Sequence, residues 1–536
     1  MRYLAVLFSI LLLACGQRGT QQKMVFRYNQ QEGIPSLDPA FAKNQAIMWA
    51  VRQLYNTLVE PDSLLNIRPS LATGWDVSED RRTYTFHLRN DVYFHDHEVF
   101  PGGKGRKMTA EDVVYSFRRI MEPSTASPGA WIFNDKVDPV KGFKALDDTT
   151  FQLTLVQPFH PIMGILSMQY CSVVPHEAVE KYGKDFRKHP VGTGPFLFHF
   201  WDEGQALILH KNPRYFEKDE SGQRLPYLDA VKVTFVDSKG TEFLLFRQGQ
   251  LDFVNDIETS FKDEVLTKQG ELKKEWAGKI ALVKAPYLNT EYFGIVMDPD
   301  KPGVKGSPLL DLRIRQAINY GFDRTKMMTY LRNSIGIPAT SGFVPAGLPS
   351  FDTSVVKGYD YNIPLARQLL REAGYPNGKG LPPIKLVSIP IYADLANYVA
   401  HQLQNIGMQV NVEVIQKGTL MDQVAKSAVP FFRASWIADY PDAESYLAMF
   451  YSKNPAPPNY TRYNNPAFDR LYEKALLETD DSVRYRLYQQ MDQMVISDAP
   501  VVPLFYDISI RFRQPNVTGL TSNGLNLLEL RRVRIE

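Results

Sequence analysis

The sequence predicts an α/β protein of two or three packed lobes, with mixed sheets flanked by helices. Three observations lead there. The chain has 536 residues, more than one core holds at ~100–200 residues per domain. Residues from about 24 to 290 carry alternating strand patterns, whereas those beyond 290 alternate between helix and strand signals. A last strand signal, Val501 to Ser509, lies far in sequence from its partners, so the lobes are expected to interweave.

At the N-terminus, Arg2 precedes an apolar run from Tyr3 to Ala14, ending Leu12-Leu13-Ala14-Cys15. The run is short of the ~20 residues a bilayer span needs. Its basic flank and small residue before a cysteine read as an export signal that resembles the bacterial lipobox. In such sequences cleavage precedes the cysteine, so Cys15 is expected to carry lipid and residues 16–23 to form a tether. Cys171 is then the only free thiol, in an apolar setting typical of a buried structural cysteine.

Tyr84 to Leu88 and Phe151 to Leu155 alternate as half-buried strands. Thr109-Ala110-Glu111-Asp112 opens a helix with a capping-box acid at Asp112. Phe100 to Arg106 is a glycine-rich loop. Arg313 to Arg332 reads as one helix, followed by a Pro/Gly-rich segment from Gly336 to Pro349. Helices from about Pro364 to Gly374 and from Ala393 to Gly407 alternate with strands at Ile384–Ile389, Met408–Ile415 and Phe431–Ile437. A short helix spans Thr419–Ser427. Such alternation predicts a largely parallel sheet with helices on its faces. Two helices, about 466–478 and 481–497, precede the last strand.

Net charge is +2, from 61 basic and 59 acidic residues, which gives no reason to expect a nucleic-acid partner. Enzyme templates fail. His176-Glu177-Ala178-Val179-Glu180 lacks a second zinc histidine. Gly192-Thr193-Gly194-Pro195 lacks the third glycine of a dinucleotide fingerprint, and neither a Gly-x-Ser-x-Gly elbow nor a Walker loop occurs. His95 and His97 could share a strand face and chelate, but no third ligand is visible and a polar turn ending a strand is the better reading. Asp439 follows a strand whose carboxyl end is where open α/β sheets place ligands. A carboxylate there would attract an ammonium group; a turn or helix-cap aspartate is the alternative.

Ser36-Leu37-Asp38-Pro39, Pro69-Ser70-Leu71-Ala72 with Trp75, Tyr84-Thr85-Phe86-His87-Leu88-Arg89, Phe94-His95-Asp96 and Thr109 to Phe117 follow one another in order. Gly192-Thr193-Gly194-Pro195-Phe196, Asn212-Pro213-Arg214-Tyr215, Arg313 to Ile318 and Ala438-Asp439-Tyr440 complete the set. Together they resemble the family 5 extracellular solute-binding proteins, the oligopeptide- and dipeptide-binding group, across nearly the whole mature chain.

The resemblance implies a two-lobed periplasmic-binding-protein-like fold (type II, cluster C) with an inserted small domain. Lobe I would comprise 24–55, 194–288 and 504–536, the inserted domain 56–193, and lobe II 289–503. It implies that Asp439 clamps a peptide's amino terminus. Ser435, Trp436 and Ile437 would pair with its backbone, and Ala42, Lys43 and Asn44 would line its other side. Trp436 would wall a side-chain pocket, and Arg433 and Arg332 would lie near the ligand carboxylate. It turns Phe94-His95-Asp96 into a scaffold motif, and His97 to Lys107 departs from the family pattern. The expected protein is a monomeric, lipid-anchored receptor with no catalytic residue, cofactor or metal, delivering peptides to ABC permease subunits. A nickel chelate, haem or sugar as ligand, or a role as a surface adhesin, are the alternatives.

Overall fold

The computed structural model describes residues 23–536, so the export signal and Cys15 lie outside the described residues. Two long strands, Ala281–Ile295 and Val501–Arg513, run antiparallel through an 11-stranded mixed sheet. Their pairing holds from Ala281↔Arg513 to Pro286↔Ile508, breaks, and resumes at Thr290↔Tyr506. At the break Tyr287, Leu288 and Asn289 face Asp507 alone. An excess of residues on one strand bends and twists a ladder.

On one side of this break the sheet continues through Phe253–Asn255, Val25–Asn29, Ala230–Thr234, Ala206–Lys211 and Phe196–Asp202. On the other it continues through Phe431–Ile437, Ile384–Ser388 and Val410–Val414. The last three strands are parallel to one another, as helix–strand alternation demands, but Phe431–Ile437 joins the long strand antiparallel. The C-terminal strand therefore belongs to both halves.

A separate four-stranded sheet contains Thr83–Leu88 and Thr150–Thr154. The helix Ala110–Met121 packs on it through Phe117, whose ring meets Phe143 and Phe151 edge-on. That helix starts as expected, Asp112 accepting the Thr109 N–H at 2.8 Å. This sheet shares one continuous core with the strands around Phe26 and Val231. The glycines of Gly192-Thr193-Gly194 serve close approach: a Cβ at Gly192 would sit 2.1 Å from the Leu54 carbonyl oxygen. The buried His95 ring meets the Gly194 carbonyl at 3.0 Å, and burial pushes its pKa down to about 4. His97 instead meets Tyr182 edge-on, so the two rings do not converge on one ion.

One expected helix is two. Residues 313–332 divide into Leu312–Tyr320 and Arg324–Arg332. Gly321 ends the first, and Asp323 starts the second by accepting the Lys326 N–H. Side-chain capping of the second helix outweighs the apolar periodicity that runs across the break. The Cys171 thiol is buried, and burial raises its pKa well above the thiol range.

Candidate functional site

The strand Phe431–Ile437 changes character along its length. Phe431, Phe432 and Arg433 are buried, Ala434 to Trp436 are half-buried, and Ile437 is 48% exposed. The cause lies in its neighbours. The long strand pairs with all seven residues, from Ile295↔Phe431 to Asn289↔Ile437. Ile384–Ser388, on the other edge, meets it only at Val387↔Phe432.

Beyond that point the outer edge is open. Val296 donates to the Pro430 carbonyl and Ala438 to the Leu288 carbonyl, each at 2.9 Å. Even-numbered residues therefore aim their backbone at the long strand, and alternation aims Ser435 and Ile437 outward. Among the described residues no strand pairs with that edge of Ser435 and Ile437. Trp436 projects from the opposite face, where its indole N–H donates to the Ser445 carbonyl at 2.7 Å and fixes the ring.

Asp439 lies two residues past the strand. Its backbone N–H donates to the Ser445 hydroxyl at 3.3 Å. No cation among the described residues forms an ion pair with its carboxylate. The side chain touches solvent, yet surrounding protein and the nearby Glu444 push its pKa up to about 6. The next residue, Tyr440, packs into the core of the first lobe and small domain. Its Cβ would lie 3.3 Å from a Cβ built on Gly164, and Tyr170 feels the Asp439 charge. Asp439 is thus held where the end of the strand Phe431–Ile437 meets the segment from Gly164 to Tyr170. Beneath it, the Tyr440 and Tyr472 hydroxyls donate to the buried Glu444.

Arg433 is committed elsewhere. Its guanidinium donates to both Glu291 oxygens, at 2.6 and 2.7 Å, and lies 3.6 Å from the centre of the Tyr392 ring. Arg332 donates to both oxygens of Asp394, at 2.6 and 3.0 Å, while lining the cleft. Ala42 is buried, and Asn44 caps the helix Gln45–Leu54 by accepting the Ile47 N–H at 3.1 Å. Lys43 lines a different hollow with Phe41, Ile47 and Arg119. No hydrogen bond among the described residues joins 42–44 to 435–437.

At the strand break lies an open-mouthed cavity of about 470 Å³. Tyr392 and Arg332 form one wall, Asn255 to Glu258 another, and Asp507 lies between them. Glu291, Tyr392 and Asp507 escaped the sequence reading. Asp507 left a trace, as a single acid inside the apolar run from Val501 to Ile510. Glu291 left none, because its partner lies 142 positions away.

A family model for bacterial extracellular solute-binding proteins, family 5 Middle, matches residues 66–458. The periplasmic oligopeptide-binding protein OppA of Salmonella typhimurium is 28% identical over 526 residues, covering 94% of this chain and 91% of the relative. Heme-binding protein A of Haemophilus influenzae is 27% identical, covering 87% and 84%. The structure of the Helicobacter pylori periplasmic binding protein DppA in complex with the peptide STSA superposes with a TM-score of 0.76. It is 27% identical, and the match covers 96% of this chain and 99% of that one.

Proposed function

The chain belongs to the bacterial extracellular solute-binding proteins of family 5, and from that membership we propose that it captures peptides between its lobes for an ABC importer. One observation carries the choice of ligand. Among the described residues Asp439 has no counter-cation, and it follows a strand whose outer edge at Ser435 and Ile437 has no partner. A peptide completes both at once. Its ammonium group meets Asp439, and its backbone adds a strand to the open edge. Backbone pairing is indifferent to side chains, which suits a receptor for varied sequences. A neutral sugar would leave the partly desolvated carboxylate uncompensated.

Among the described residues only two strands, Ala281–Ile295 and Val501–Arg513, carry the sheet from one lobe to the other, and the ladder between them is broken from Pro286 to Thr290, opposite Asp507. We assign the hinge to that break, with lobe boundaries near 288/289 and 503/504. Closure over the ligand then creates the form a permease recognises. The relatives OppA and DppA are named as periplasmic proteins. Among the described residues no helix is long and apolar enough to cross a membrane. We place this chain outside the cytoplasmic membrane, held by lipid on Cys15; Cys15→Ala should move it from the membrane fraction to the soluble one.

The decisive experiment is mass spectrometry of whatever co-purifies with protein lacking the first 15 residues. A mixture of peptides is expected. A single haem, metal chelate or sugar, with no peptide, overturns the assignment and leaves the family intact.

A further inference from the structure

The cavity at the strand break is lined by three acids that the peptide clamp does not use, Asp256, Glu258 and Asp507. Asp507 stands opposite the bulged residues Tyr287 to Asn289. Its carboxylate receives the Asn289 side-chain amide at 3.2 Å and its neighbour's N–H, from Ile508, at 2.9 Å. No ion pair reaches it among the described residues. Burial raises its pKa to about 6, and the anions Glu291 and Asp256 add to the rise.

Cations line the same cavity, but each is already paired. Lys239 contacts Glu242 at 2.8 Å, Lys262 contacts Asp256 at 3.2 Å, and Arg332 contacts Asp394 at 2.6 Å. Arg433, just behind Tyr392, is neutralised by Glu291. What is left over in the cavity is negative. Its walls suit a cation on an apolar stem: Tyr287, Ile391, Tyr392, Phe505 and Ile508 offer aromatic and aliphatic surface around Asp507. Aromatic faces attract ammonium and guanidinium groups as well as methylenes.

The cavity also lies on the same face of the sheet as the open edge. Ile437 faces Asn289 across one ladder, and Asn289 bonds Asp507 on the next strand. Opposed residues share a face, so Ser435, Ile437, Asn289, Glu291 and Asp507 project to one side of the sheet. A ligand running from Asp439 along Ile437 and Ser435 heads toward Tyr392 and this cavity.

We propose that Asp507 and the cavity around it form a binding subsite for a basic side chain, lysine or arginine, carried by the ligand. This rests on the peptide reading and adds to it a preference for cationic peptides. The lobe-I wall at Asn255 to Glu258 closes over the stem, and Asp507 receives the charged end in a charge-assisted hydrogen bond.

The test uses alanine tetrapeptides with free amino termini and one lysine or one norleucine at position 2, 3 or 4. Affinities for the mature protein, Asp507→Asn and Asp439→Asn are measured by calorimetry. At one position or more, lysine should bind about 10- to 100-fold tighter than norleucine. Asp507→Asn should erase that advantage while leaving norleucine peptides within about threefold, which also shows that the variant is folded. Asp439→Asn should weaken both peptides alike. If lysine and norleucine bind equally at every position, or if Asp507→Asn weakens both to the same degree, the subsite is wrong and peptide capture stands. If no tetrapeptide binds at all, the peptide reading falls and takes the subsite with it.

Discussion

Glu291 holds Arg433 in an ion pair sealed from water, with side-chain exposures of 1% and 9% and a contact of 2.6 Å. The two residues sit on adjacent strands, and Tyr392 covers the guanidinium. Burial pushes the Glu291 carboxyl above its usual range even though Arg433 draws it down. Breaking such a pair from one side leaves a charge without compensation. Glu291→Gln should therefore cost about 3–5 kcal/mol in urea unfolding, and adding Arg433→Met should restore much of it. A loss under about 1 kcal/mol for Glu291→Gln would show that the pair is dispensable.

The same pair has a consequence for ligand choice. Arg433 and Arg332, the cations expected near the ligand carboxylate, are both occupied, by Glu291 and Asp394. A peptide's carboxyl terminus then gains little on binding. Free-acid and carboxamide forms of one peptide should bind within about threefold of each other, well under the ~1.5–3 kcal/mol of a hydrogen bond to a charged group. A strong preference for the free acid in calorimetry would mean that closure frees one of these arginines.

Asp439→Asn removes the charge and keeps the shape. Free-amine peptides should lose about 2–5 kcal/mol of binding free energy, whereas N-acetylated peptides should change far less. Equal losses for the two classes in parallel titrations would remove Asp439 from the role of clamp.

The raised pKa of Asp439 gives that clamp a pH signature. Burial and Glu444 hold its carboxyl at about 6, so below that value it is mostly neutral and cannot pair with an ammonium. Affinity for trialanine, which offers no second cation to Asp507, should fall as pH drops from 7 to 5. It should approach a tenfold loss per pH unit for one linked proton. Above about 8 it falls again as the peptide's amino group loses its proton. Asp439→Asn should flatten the acid limb; an unchanged limb in that variant would place the titration on another group.

Much of this was readable from the sequence because local signals were strong. Phe431–Ile437 appears at the expected limits, between Pro430 and the acidic turn. Residues 313–332 misled because the apolar stripe of Ile314, Ala317, Ile318 and Phe322 runs past Gly321, while the Asp323 cap is a weaker signal. The open edge at Ser435 and Ile437 was beyond local reading. It arises where Ile384–Ser388 stops pairing after Val387. The occupation of Arg433 was equally hidden, since nothing near it announces Glu291. Sequence finds elements and candidate charges; which charges are already paired depends on contacts between distant strands.

Asp492 supplies a last consequence, for stability. Its carboxylate accepts the Phe343 N–H at 2.6 Å and the Val344 N–H at 3.3 Å. The Tyr506 hydroxyl holds the adjacent Gly342 carbonyl at 2.6 Å, latching this loop to the long strand beside the break. The approach admits no side chain, since a Cβ on Gly342 would lie 1.8 Å from an Asp492 oxygen. Gly342→Ala should therefore cost about 1–3 kcal/mol through overpacking. Burial raises Asp492 to about 7, against ~3.9 in an unfolded chain. A carboxyl raised on folding contributes stability that is complete below about pH 4 and lost as pH climbs through about 7. Asp439 and Asp507, each raised to about 6, act with the same sign. These three carboxyls together make the unfolding free energy of the ligand-free protein decline between pH 5 and 7.5, a decline that His95, held down at about 4, opposes. Asp492→Asn should make that decline shallower by one proton. Identical slopes for wild type and variant in urea titrations at pH 5, 6, 7 and 7.5 would show that Asp492 does not change protonation on folding.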